Sequence, residues 1–170
     1  MSAGTITENG QYLTFQLEEE VFALDISRVR EVLDFTKITK VPQTPDFMLG
    51  VINLRGSVMP VVDMRLKFGL SKAETTVNTC IIIVEVELDG EITMLGALVD
   101  SVHEVMELDA DQIEPPPRIG TRLNTKFIKG MGKQDDRFLI IIEIDKVFSV
   151  DELAIAQEMG GEQMDLAENA

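Results

Sequence analysis

The chain has 170 residues, 45% hydrophobic and 5% aromatic, with no tryptophan. Its 30 acidic residues outnumber 15 basic ones for a formal charge of -15. Phosphate backbones and anionic lipid repel such a chain, so nucleic-acid and membrane-surface binding are set aside. One histidine, His103, and one cysteine, Cys80, exclude an internal disulfide and a zinc site of the usual ligand spacing.

A chain of this length can bury roughly 70% of its unfolded surface, which suits one domain or two small subdomains around one core. Six acidic residues and no basic ones follow Lys146, and the remainder is still acidic, a charge that serves solubility. Residues 1–10 are small and polar, lack the features of a signal peptide and are expected to be flexible. No window approaches the ~18 consecutive apolar residues of a membrane span, so a cytoplasmic protein without direct membrane insertion is expected.

From Tyr12 the pattern alternates. Leu13, Phe15 and Leu17 face one way and Thr14, Gln16 and Glu18 the other, as in a half-buried strand. Glu18-Glu19-Glu20 reads as a hairpin turn before Val21-Phe22-Ala23-Leu24, and Asp25-Ile26-Ser27-Arg28 as one helical turn. Further strands are expected at 29–33, 51–54, 57–64, 79–88, 91–99, 102–108 and 138–144. Pro60 points to an edge or a bulge in its strand, whereas residues 138–142 are apolar on both faces and read as central and fully covered. Glu114-Pro115-Pro116-Pro117-Arg118 is expected as a stiff surface loop. Ser149-Val150-Asp151-Glu152 matches a capping box that opens a helix, expected to end at Gly160-Gly161 with a loose tail beyond.

An internal repeat is the strongest structural signal. Ala23-Leu24-Asp25-Ile26-Ser27-Arg28-Val29-Arg30-Glu31-Val32 resembles Ala97-Leu98-Val99-Asp100-Ser101-Val102-His103-Glu104-Val105, with Glu31 and Glu104 73 residues apart. Phe47-Met48-Leu49-Gly50 resembles Phe127-Ile128-Lys129-Gly130 at an offset of 80, which Phe68 and Phe148 keep. Each unit is too small to bury much core alone, so the two are expected to pack together as a pair of small β-barrels.

Catalytic arrangements find little support. His103 stands where the repeat has Arg30 and reads as a solvated strand residue. Cys80 beside Ile81-Ile82-Ile83 reads as a small buried hydrophobe with a raised pKa, without a charged activator. Gly130-Met131-Gly132-Lys133 lacks the Ser/Thr of a phosphate loop and reads as a flexible turn. Asp135-Asp136 reads as a hairpin turn, and Asp109-Ala110-Asp111 lacks the Gly and distal Glu of a calcium loop. No catalytic residue, metal site or cofactor is assigned. Arg55 remains unusual, because it interrupts an apolar stretch just before Gly56. An arginine so placed usually pairs with a carboxylate, and Glu31 is one candidate.

Residues 11–24, Ile38-Thr39-Lys40-Val41-Pro42, Gly50-Val51-Ile52-Asn53-Leu54-Arg55-Gly56, Val58-Met59-Pro60-Val61-Val62-Asp63-Met64-Arg65 and Leu98-Val99-Asp100-Ser101-Val102-His103-Glu104-Val105 together closely resemble the CheW family, in its order and spacing. The resemblance spans residues 11–148. It implies an all-β fold: two SH3-like five-stranded β-barrel subdomains sharing a hydrophobic core, roughly 11–75 and 79–148, with strand exchange between them left open. A short acidic C-terminal helix and tail, 149–170, follows.

The resemblance also implies a non-enzymatic adaptor between the cytoplasmic coiled-coil tip of a chemoreceptor and the regulatory domain of the kinase CheA. Rings with itself or other CheW-like domains, at receptor arrays on the inner face of the membrane, are implied too. By resemblance, Leu13, Ile26, Val29, Val32 and Val102 line a groove for the receptor helix. Glu31 and Arg55 match a polar pair used in signalling contacts, and Val41 and Pro42 match a kinase-facing edge. The alternatives are a CheW-like module of a related coupling or kinase regulatory protein, against which the absence of receiver or kinase sequence after Ala170 counts, and a small-ligand-binding β-barrel.

Overall fold

The structure, a computed structural model, describes residues 10–71, 74–115, 126–134 and 136–169. In chain order the strands are β1 (Gly10–Leu17), β2 (Glu20–Asp25), β3 (Val29–Asp34), β4 (Met48–Leu54), β5 (Ser57–Asp63), β6 (Cys80–Leu88), β7 (Glu91–Val99), β8 (Ser101–Leu108), β9 (Ile113–Glu114), β10 (Ile128–Gln134) and β11 (Arg137–Ile142). The helices are α1 (Met64–Lys67) and α2 (Val150–Asn169), and a 3-10 turn at Ile26–Arg28 joins β2 to β3. Two curled sheets result, one in the order β8-β1-β2-β11-β10-β9 and the other β3-β6-β7-β5-β4. Their logic is the same. Each has one parallel joint, Ile141 beside Ala23 in β11–β2 and Val62 beside Ala97 in β5–β7, and antiparallel pairing elsewhere.

The apolar run at β6 is explained by a different core on each of its faces. Ile81 and Ile83 join Ile52, Met59, Val61 and Leu98 in a cluster drawn from the five-stranded sheet alone. Ile82 and Val84 face the other way and join Phe15, Leu17, Phe22, Ile142 and Phe148 in a larger cluster shared by both sheets. The six-stranded sheet has its own interior of Tyr12, Val21, Ala23, Leu108, Leu139 and Ile141. Stacked rings cross the shared core, with centroids 5.8 Å apart for Phe15–Phe22, 5.6 Å for Phe22–Phe68 and 4.6 Å for Phe68–Phe127.

α2 closes this core. The capping box forms, with the Glu152 amide donating to Ser149 Oγ at 3.1 Å and the Ser149 amide donating to Glu152 Oε1 at 2.8 Å. Leu153, Ala156 and Met159 then lie buried, and Lys67 Nζ meets Glu152 at 3.1 Å while facing the Phe47 ring at 5.0 Å.

Several expectations are corrected. α2 continues through Gly160-Gly161 to Asn169, although each glycine costs about 1 kcal/mol relative to alanine in a helix. Gly130-Met131-Gly132-Lys133 is no turn but the body of β10. Its glycines mark close approach, since a Cβ at Gly130 would fall 2.8 Å from Ile113 Cγ2. In β11 Phe138 is 51% exposed, so that strand is central but not fully covered. Parallel pairing of β5 with β7 begins at Val61, so Pro60 sits where β5 has β4 alone as neighbour. Residues 1–9 of the expected N-terminal arm, the stretch from Pro116 to Arg118 and Asp135 lie outside the described residues.

Gly50 has φ +148°, and an added Cβ would stand 2.0 Å from the Thr39 carbonyl oxygen. Gly69 has φ +79° and open space around it. Urea unfolding is expected to show Gly50→Ala costing about 3 kcal/mol or more and Gly69→Ala about 1–2 kcal/mol. The reverse ranking would contradict the packing described.

Candidate functional site

Two edge strands flank the shared core. β3 ends the five-stranded sheet and β8 ends the six-stranded one, and they are counterparts in the repeat. Each carries a register shift just after its first valine, between Val29 and Glu31 in β3 and opposite the Leu13–Phe15 step in β8. Such bulges re-aim side chains at sheet edges. The bulge in β8 is filled by Thr14, whose hydroxyl donates to the Glu104 carbonyl at 2.7 Å and accepts from its amide at 3.1 Å.

The expected groove residues fall around this boundary in graded fashion. Leu13 is buried in the shared core, while Ile26, Val29 and Val102 are half-buried against it. Val32 is 41% exposed and its repeat counterpart Val105 49% exposed. Val41 is half-buried against the same core and Pro42 beside it is exposed.

Glu31 and Arg55 meet across the seam of the five-stranded sheet, because β3 and β4 are its two edges. Arg55 Nη2 lies 2.5 Å from Glu31 Oε1 and Nη1 lies 3.2 Å from Oε2, a two-pronged ion pair. The guanidinium hydrogen bonds hold the Glu31 carboxyl below its usual range, and the carboxylate raises Arg55 in turn. With the Arg55 side chain 71% exposed, the pair is a surface feature open to a partner rather than a core strut.

A second charged group, which the sequence reading did not assign, is buried. Arg65 is 2% exposed and Asp63 0%. Arg65 Nε and Nη2 each lie 3.0 Å from the Asp63 carboxylate, and Nη1 lies 2.9 Å from Asp100 Oδ1. Hydrogen bonding to Asp63 raises the guanidinium above its ordinary pKa. Asp100 reaches the other sheet, accepting the Glu18 amide at 2.7 Å and donating its own amide to the Gln16 carbonyl at 3.0 Å. The available signal was an Asp and an Arg two residues apart at the end of the apolar run Val61-Val62. Arg28 is also paired, lying 2.5 Å from Asp145, which accepts the Glu87 amide as well.

Burial pushes the Cys80 thiol above its usual pKa, and His103 is exposed beside Ser101, 3.2 Å away. A cleft of about 210 Å³ has Phe35, Ile38, Leu49 and Leu98 among its walls and Asp63 and Arg65 on its lining, two charges already committed to each other. Among the described residues no group of three His, Cys, Asp or Glu could hold a metal ion, and no helix is long and apolar enough to cross a membrane.

Comparison with known proteins agrees with this architecture. The CheW-like domain model matches residues 11–152. The chemotaxis protein CheW of Klebsiella aerogenes is 34% identical over 153 residues, covering 90% of each chain. That of Rhizobium meliloti is 34% identical over 152 residues, covering 89% of this chain and 96% of the relative. The crystal structure of the scaffolding protein TtCheW from Thermoanaerobacter tengcongensis superposes with a TM-score of 0.73 at 42% identity, covering 84% of this chain and 94% of that one.

Arg65→Leu strands Asp63 as a buried, unpaired charge. Denaturant unfolding is expected to show a loss of about 3–5 kcal/mol, with much of it recovered in Asp63→Leu/Arg65→Leu. Equal stability of Arg65→Leu and the parent would contradict the pairing.

Proposed function

The chain belongs to the CheW family, and from that premise we propose that it is a non-enzymatic scaffold coupling the cytoplasmic coiled-coil tip of a chemoreceptor to the regulatory domain of the histidine kinase CheA. The observation that carries the reading is the graded apolar boundary between the sheets. Ile26, Val29 and Val102 are half-buried there and Val32 is exposed, a shape and chemistry that suit an amphipathic helix offering apolar anchors at helical spacing. Leu13 forms the floor. The exposed Glu31–Arg55 pair at the seam gives the polar contact that sets register and selectivity at a rim.

The kinase contact is assigned to Val41 and Pro42. They lie in the segment between β3 and β4, with Val41 half-buried and Pro42 exposed beside it. The barrel edges suit further pairing with like-folded domains, and the acidic charge favours association with proteins over lipid or nucleic acid.

Binding of a receptor signalling fragment and of a CheA regulatory domain, measured separately by calorimetry, tests the assignment. Val32→Asp, at an exposed position, is expected to weaken receptor binding about tenfold or more and leave kinase binding unchanged. Pro42→Asp is expected to do the reverse. Receptor binding untouched by both Val32→Asp and Val29→Asp, with circular dichroism unchanged, would contradict the groove.

A further inference from the structure

Arg55 occupies a backbone conformation that arginine disfavours. The β4–β5 hairpin closes at Leu54 opposite Ser57, leaving Arg55 and Gly56 as a two-residue turn with φ +51° and +89°. Positive φ at both positions is the type I′ geometry, which favours Asn-Gly or Asp-Gly. The β6–β7 hairpin has the same geometry with the favoured pair, Asp89 at +53° and Gly90 at +81°. At 55 an arginine stands in the first position instead, without a short side chain to stabilise the left-handed conformation locally. The neighbouring Asn53 supplies that contact, with its Oδ1 accepting the Gly56 amide at 2.8 Å. Asn53 is itself exposed and contributes nothing to the core.

We propose that Asn53 is a positioning residue for the Glu31–Arg55 pair: by accepting the Gly56 amide it holds the turn in the left-handed form from which both guanidinium prongs reach Glu31. The proposal rests on the reading of that pair as a signalling contact, yet its first consequence concerns the free protein alone. A turn free to relax withdraws one or both prongs, and the Glu31 carboxyl loses the hydrogen bonds that lower its pKa.

The test is an NMR titration of the Glu31 side-chain carboxyl in the full chain, for the parent, Asn53→Leu and Arg55→Ala, with receptor-fragment affinity measured alongside. Asn53→Leu is expected to move the Glu31 titration upward, in the direction that Arg55→Ala moves it, and to weaken binding about fivefold. Asn53→Asp, which keeps the acceptor oxygen, is expected to restore binding at neutral pH. A Glu31 titration unchanged in Asn53→Leu, while Arg55→Ala moves it, would overturn the positioning role whatever binding does. A titration that moves while affinity stays constant would sustain the positioning and overturn the signalling reading of the pair.

Discussion

The Asp63–Arg65–Asp100 network sits where the chain crosses from one sheet to the other. β7 belongs to the five-stranded sheet and β8 to the six-stranded one, with Asp100 between them. A buried guanidinium must be satisfied on the spot, and Arg65 is satisfied only when the end of β5 and the β7–β8 crossing are brought together. Asp100 then fixes the β1–β2 turn through the Glu18 amide. One side chain thus joins both sheets, and the start of β8, with Val102 opposite Phe15, follows from it. The other crossing, from β2 to β3, has its own arginine, Arg28, tied to Asp145 and near Glu87. The two strands that flank the proposed docking surface begin at these two crossings, so the surface inherits its geometry from them.

The energetics divide along the same line. Apolar burial supplies the bulk of the stabilisation, in two sheet interiors and one shared core. The ion pairs supply position. Arg65 is committed inside the protein, whereas the largely exposed Arg55 contributes little to folding and is available to a partner. Two arginines ten residues apart in one hairpin region thus differ sharply in burial, one enclosed and one exposed.

Much of the fold was legible because the repeat is legible. β4 and β10 begin 80 residues apart, as do β5 and β11, so the offset that relates Gly50 to Gly130 also predicts a strand at β10. Local reading missed that strand because glycines look like a turn when the close neighbours that require them, Ile113 and Glu114 at Gly130 and Leu108 at Gly132, are distant in sequence. The acidic α2 was read too short for a related reason, since a glycine pair marks a helix end only when a left-handed cap forms there. The docking surface was less legible. Leu13 and Val32 are alike in pattern, yet one is 6% exposed and the other 41%, because alternation marks an apolar position without saying what packs over it. The Glu31 partner of Arg55 was one candidate among many carboxylates, and the curling of the five-stranded sheet, which brings its two edges together, selects it.

On the proposed reading, the boundary between the sheets, and not either sheet's interior, receives the receptor helix. Methyl NMR of the protein titrated with a receptor signalling fragment tests it most directly. Shifts are expected at Ile26, Val29, Val32 and Val102, with Ile81, Ile83 and Ile141 in the sheet interiors unmoved. Binding that leaves the methyl groups of those four residues silent and perturbs a different face would contradict it.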